Sequence, residues 1–126
     1  MTVLVLDAGA LIALERGDRT MWAHVAVASG RRDLLVPTAA LAQAWRGGPS
    51  QALLARALAC CDLAPFDAVA HAVGELCGRA GTSDVCDAHV ALVAGARGDI
   101  VFTSDPDDIQ HLLELIRGRA PTVIRC

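Results

Sequence analysis

Apolar positions open the chain as an unbroken run, residues 2–6 (TVLVL), that stops at Asp7. A continuous run of this length predicts a strand covered on both faces, as in a parallel sheet. Helical spacing follows over about 8–15 and again over about 21–30. Residues 33–36 (DLLV) predict a second strand, stopped by Pro37. A helix over about 38–46 ends at Gly47-Gly48, and Pro49-Ser50 starts another that reaches about Ala59. Residues 61–64 give a short third strand before Pro65. Asp67 is placed to cap a helix to about Arg79, with Val69, Ala72, Val73, Leu76 and Cys77 on one stripe. Beyond Gly81-Thr82-Ser83, residues 84–96 are apolar nearly all round, which predicts a central, buried helix. Residues 100–103 (IVFT) form the fourth strand. Ser104-Asp105-Pro106 then opens a helix whose Ile109, Leu112, Leu113 and Ile116 fall at i, i+3, i+4 and i+7, and residues 122–124 (TVI) end the pattern as a last short strand.

Strands alternating with helices predict an α/β fold: a central, mostly parallel sheet in a three-layer α/β/α sandwich, built as one domain over residues 1–126. No internal repeat, low-complexity stretch or linker interrupts it. Hydrophobic residues make up 54% of the chain, enough for a core and too many for disorder. The longest uncharged apolar stretches fall short of the roughly 20 residues a membrane span needs. The start lacks the basic segment and cleavage region of a signal peptide, so a cytoplasmic protein is expected. In such folds, ligands bind outside the carboxyl ends of the strands, where the strand order switches direction.

Carboxylates sit at those strand ends. Asp7 ends the first strand and Asp105 lies just past the fourth, on the same sheet edge if the crossovers are right-handed. Asp84 and Asp87 are three apart, hence on one face, at the start of the buried helix. Asp87 shares a stripe with Val90, Ala91 and Ala94 and should point inward. Helix capping accounts as well for Asp7, Asp84 or Asp105 taken singly. It does not account for Asp87, which falls inside the first turn. Asp107 and Asp108 read as charges that offset a helix dipole. Carboxylates gathered at one edge repel: at ~4 Å one pair costs about 4 kcal/mol at an effective dielectric of 20. Cations relieve such a cluster, and all-oxygen ligands suit Mg²⁺ or Mn²⁺. Phosphodiester hydrolysis is the natural chemistry for a metal so held.

Charge and cysteine content narrow the field. Net charge is −3, with eleven basic residues that are all arginine, so bulk electrostatics will not coat a nucleic acid and any RNA must be held locally. The missing lysine excludes a receiver domain and a haloacid-dehalogenase-type phosphatase, both of which rely on one. Five cysteines, an odd number, are expected as reduced, buried thiols. Cys86 and His89, three apart with Cys77 nearby, leave a zinc site as an alternative, although no C-x-x-C pair exists. His24, His71, His89 and His111 would be the residues of a histidine-based ribonuclease.

The segments VLVLDAGALIAL around Asp7, VPTAALAQAWRGG around Gln43, SDVCDAHVALVA around Asp87 and VFTSDPDDI around Asp105 occur in an order and spacing that span nearly the whole chain. In these the chain resembles a PIN-domain protein, specifically a VapC-type toxin of a bacterial toxin–antitoxin pair. The resemblance implies a compact α/β/α sandwich that binds Mg²⁺ or Mn²⁺ and cuts RNA. It also implies a homodimer and inhibition by a VapB-type antitoxin. Carried over by position, Asp7, Asp87 and Asp105 match the family's metal-site aspartates, with Asp84 as an extra ligand. The helix after the second strand usually offers a glutamate; here that place holds Gln43. Glutamine removes one negative charge, which supports an alternative reading as a non-catalytic PIN-like binding or assembly module.

Three further residues are candidates for support. Thr103 and Ser104 flank the site and are placed to hydrogen-bond Asp7 or a bound water. Arg46, before two glycines, is placed to grip a phosphate oxygen, or simply to end its helix. Trp22, Trp45, Phe66 and Phe102 are too few and scattered to make a stacking platform for bases.

Overall fold

The computed structural model describes residues 2–28 and 33–126. Five strands, β1 (Leu4–Leu6), β2 (Leu34–Pro37), β3 (Asp62–Ala64), β4 (Ile100–Thr103) and β5 (Thr122–Arg125), form one sheet in the order β3-β2-β1-β4-β5. Every neighbouring pair is parallel. The chain builds outward from β1 to β2 and β3, then returns to lay β4 and β5 on the other side. The switch in direction therefore falls between β1 and β4, where Leu6 pairs with Phe102.

Among the described residues seven α-helices cover the sheet: α1 (Ala8–Glu15), α2 (Arg19–Ala28), α3 (Thr38–Ala44), α4 (Ala52–Leu58), α5 (Ala70–Ala80), α6 (Val85–Arg97) and α7 (Pro106–Glu114). α1 packs against α2, α3 and α4, and α6 packs against α5 and α7. α3 also packs against α6, so the two groups meet. The PIN-like three-layer α/β/α architecture expected from the sequence is thus the observed one, with a sheet that is parallel throughout. Val5, Leu6, Leu35, Val36, Val101 and Phe102 bring the strands into the core, where Leu11, Leu14, Leu54, Leu76 and Ile109 meet them from the helices. Each fully buried aliphatic side chain contributes about 1.5–3 kcal/mol relative to exposure. α6 is the buried helix its composition predicted: Ala88, Val90, Ala91 and Ala94 are fully enclosed. Among the described residues no helix is long and apolar enough to cross a membrane.

Several boundaries move, each for a visible reason. The helix predicted over about 21–30 is α2, which starts at Arg19; residues 29 and 30 lie outside the described residues. The helix predicted to Arg46 stops at Ala44, because Gln51 takes over its end. The Gln51 side chain accepts from the amides of Arg46 and Gly47, both at 2.8 Å, and donates to the Ala44 carbonyl at 2.9 Å. Asp67 does not cap a helix. Thr38 Oγ1 captures the Phe66 amide at 2.9 Å, a 3₁₀ turn follows over Asp67–Val69, and α5 begins only at Ala70 without a side-chain cap. Of the five thiols, all free, only Cys77 is buried; Cys126 is exposed, so the expectation of buried thiols holds for one alone.

Candidate metal centre at the strand switch point

Asp7 continues β1 by one residue, its amide bonded to the Phe102 carbonyl at 3.1 Å. Its carboxylate is almost fully buried and held by two short hydrogen bonds. One comes from the Ala8 amide at 2.6 Å, which caps α1, and one from Thr103 Oγ1 at 2.6 Å. The same Thr103 oxygen accepts the Asp105 amide at 3.0 Å. One enclosed hydroxyl, donating once and accepting once, therefore locks the ends of β1 and β4 together. Asp105 stands at the start of α7, yet its side chain makes no cap bond, and its carboxylate is exposed. The capping alternative thus holds for Asp7 and fails for Asp105.

α6 supplies the other pair. Asp84 is exposed and caps the helix by accepting the Asp87 amide at 3.0 Å. Asp87 is 8% exposed, and among the described residues its carboxylate accepts no hydrogen bond. Burial, and then the charges of Asp84, Asp7, Asp105 and Asp108, push its carboxyl up to about 7. Asp7 is also raised, by burial first; its two hydrogen bonds work against the shift, and Asp105 and Asp84 add to it. The four predicted aspartates thus share one field, drawn together from β1, β4 and the start of α6.

A residue that sequence reasoning set aside belongs with them. Asp108 adds its charge to Asp87 and, with Thr82, Asp84, Asp87 and His111, lines a cleft of about 130 Å³ between α6 and α7. Its signal was the spacing Asp105, Asp108, His111, three apart on one helical face. Gly9 was missed as well. A Cβ at Gly9 would lie 2.6 Å from Ser104 Oγ and 2.9 Å from the Ser104 backbone nitrogen. Only glycine lets the first turn of α1 close on the turn after β4. Ser104 itself packs there; of the two hydroxyls, that of Thr103 is the one that hydrogen-bonds Asp7.

The remaining candidates sit on or just after α3, which packs against α1 and α6, and on α6 itself. Gln43 is exposed on α3, one turn beyond Ala39, and among the described residues no hydrogen bond joins it to the aspartates. Arg46 donates to the carbonyls of Ala42 at 3.2 Å and Trp45 at 2.7 Å, so its guanidinium serves the end of α3. Cys86 Sγ faces the Ala39 carbonyl at 3.7 Å, and the Ala39 amide donates to His89 Nδ1 at 3.4 Å. Both contacts tie α6 to α3, while His89 Nε2 stays buried without a partner among the described residues. Among the described residues no three His, Cys, Asp or Glu side chains stand close enough to cage an ion in this conformation. Chemically the donor set still suits a hard divalent cation. It is all carboxylate oxygen, and positive charge would relieve the repulsion on Asp87.

Comparison with solved structures gives the same architecture. The crystal structure of PAE2754 from Pyrobaculum aerophilum matches with a TM-score of 0.58 at 21% identity, covering 98% of this chain and 89% of that one. The crystal structure of DNA-bound VapBC from Salmonella typhimurium matches with a TM-score of 0.62 at 19% identity, covering 99% of this chain and 98% of the matched one. No protein-family model matches the chain, and no curated protein is significantly similar to it. By its architecture the chain is a PIN-like α/β/α sandwich that shares its fold with PAE2754 and with the Salmonella VapBC structure.

Proposed function

We propose that the chain is a metal-dependent ribonuclease of the VapC-toxin kind, in which Asp7, Asp87 and Asp105, with Asp84, hold Mg²⁺ or Mn²⁺. The observation that carries this reading is Asp87: a nearly buried carboxyl with no protein partner among the described residues, pushed up to about 7 beside other carboxylates. A fold does not keep such a group for stability, and perturbed carboxyls in a cleft mark functional sites. When bound, the cation supplies neutralisation of phosphate charge and activation of water for phosphodiester hydrolysis. The chain's own residues set the geometry. Asp7 is fixed by the Ala8 amide and Thr103, Thr103 ties the Asp105 backbone to Asp7, and Asp84 anchors the turn that presents Asp87.

RNA as substrate follows from the sequence resemblance. A VapB-type antitoxin as inhibitor follows from that resemblance and from the fold shared with the Salmonella VapBC structure. A homodimer acting in the cytoplasm completes the reading. Purified protein is incubated with labelled RNA and Mg²⁺ or Mn²⁺, with and without EDTA. Cleavage that needs metal and is lost in Asp7→Asn is the expected result. One observation favours a second reading, a non-catalytic PIN-like module: Gln43 is neutral and makes no hydrogen bond to the aspartates. Absence of metal-dependent cleavage of several structured RNAs would decide for it.

A further inference from the structure

Two hollows border the acidic cluster, and their linings differ in charge. On the α6–α7 side, the small cleft is walled by Asp84, Asp87 and Asp108. On the α1 side lies a groove of about 540 Å³ lined by Gly9, Ile12, Arg16, Asp18, Ser104 and Cys126. The groove lies beside the cluster: Gly9 and Ser104 meet in its lining, close in the chain to Asp7 and Asp105, and the Asp7 charge reaches Cys126 there.

Arg16 is exposed at the end of α1, and among the described residues its guanidinium makes no hydrogen bond or ion pair. Asp18 is the single acidic side chain in the lining; one of its oxygens caps α2 by accepting the Met21 amide at 3.0 Å, and its charge still acts on Cys126 in the same groove. A second arginine arrives from β5. Arg125 pairs with Thr103 in the β4–β5 register, and its Nη1 donates to the Ser104 carbonyl at 3.2 Å. The groove is thus lined by one guanidinium, Arg16, opposed by Asp18, with the exposed Arg125 reaching the backbone of Ser104 in its lining, whereas three carboxylates and His111 line the α6–α7 cleft.

A chain with a net charge of −3 offers a polyanion no general attraction. Phosphates must find local cations, and the planar donor fork of arginine fits phosphate oxygens in pairs. We propose that a single RNA strand leaves the acidic site along the α1 groove, with Arg16 and Arg125 gripping its phosphates. The assignment rests on the ribonuclease reading and adds the path of substrate binding to it. No cluster of aromatic rings offers a stack for bases, so grip on the strand comes from its backbone and tolerates many sequences.

The test uses a fluorescein-labelled single-stranded RNA of mixed sequence, cleaved in Mn²⁺ by the wild type and by Arg16→Gln, Arg125→Gln and Arg97→Gln. Arg97 ends α6, remote from Asp87, and its exchange makes the same change in net charge. Arg16→Gln and Arg125→Gln are expected to raise KM about tenfold with kcat kept. Each should also flatten the fall of log kcat/KM with log salt by about 0.7, the value of one contact to a single strand. Arg97→Gln should match the wild type. If the wild type cuts but all three variants behave alike, or if kcat falls at constant KM, the groove assignment is overturned and the ribonuclease reading stands. If the wild type does not cut, that reading fails and the assignment fails with it.

Discussion

Replacing Asp87 by asparagine should make the metal-free protein more stable, and the gain should grow with pH. The carboxyl is raised from 3.8 to about 7, chiefly by burial and then by the neighbouring carboxylates. A carboxyl whose folded value is raised contributes stability that is fully present below its unfolded value near 4. That stability is lost as pH rises through about 7. At ~1.4 kcal/mol per unit, three units set a ceiling of about 4 kcal/mol on the penalty at pH 8. Asp84, Asp105 and Asp108 are exposed, and water screens their share, which brings the expected gain to about 1–2 kcal/mol. Urea unfolding of both proteins in EDTA at pH 8 and pH 5 measures it. The gain should fall to under half at pH 5, where the folded wild type keeps its proton. With saturating Mn²⁺ the order should reverse, because a cation bound to the native state stabilises only the chain that holds it. Equal midpoints at pH 8, or a gain that ignores pH, would refute the argument.

Asp84 combines two roles that substitution separates. Asp84→Ala should cost about 1 kcal/mol in thermal unfolding through loss of the α6 cap, whereas Asp84→Asn keeps the cap and should lower only Mn²⁺ affinity. Thr103→Val leaves the Asp7 carboxylate and the Asp105 amide without their shared partner, at about 1–3 kcal/mol in chemical unfolding, and Thr103→Ser should restore most of it. Gly9→Ala drives a methyl into Ser104; a loss of about 1–3 kcal/mol together with weakened Mn²⁺ binding is expected, and an unchanged melting temperature would contradict the close approach. Gln43→Glu should tighten Mn²⁺ binding in a calorimetric titration; equal affinities would remove Gln43 from the site.

The layers of the fold were legible because apolar runs and helical stripes report burial directly. The run ending at Asp7 became β1 at the sheet centre, and the all-apolar stretch after Asp84 became the enclosed helix α6. Asp87 was also readable, since an inward carboxylate on an apolar stripe has no structural use. What pattern could not report was long-range hydrogen bonding. Nothing in the local sequence says that Gln51 ends α3 or that Thr38 holds Phe66, because those partners are 7 and 28 residues apart. Asp108 was hidden by a plausible local role in its helix's first turn. Ser104 and Thr103 were equal candidates until the pleat of β4 turned one hydroxyl onto Asp7 and left the other against Gly9.

The Thr103–Asp7 hydrogen bond joins residues 96 apart, and that separation governs when the acidic centre can exist. During translation, Asp7 has no partner strand on the β4 side until the whole crossover through α6 has been made. An emerging chain therefore carries its carboxylates scattered and harmless. For a protein proposed to cut RNA, this gives a built-in delay, since the chain must grow 96 residues beyond Asp7 before its cutting edge can be assembled beside the message that encodes it.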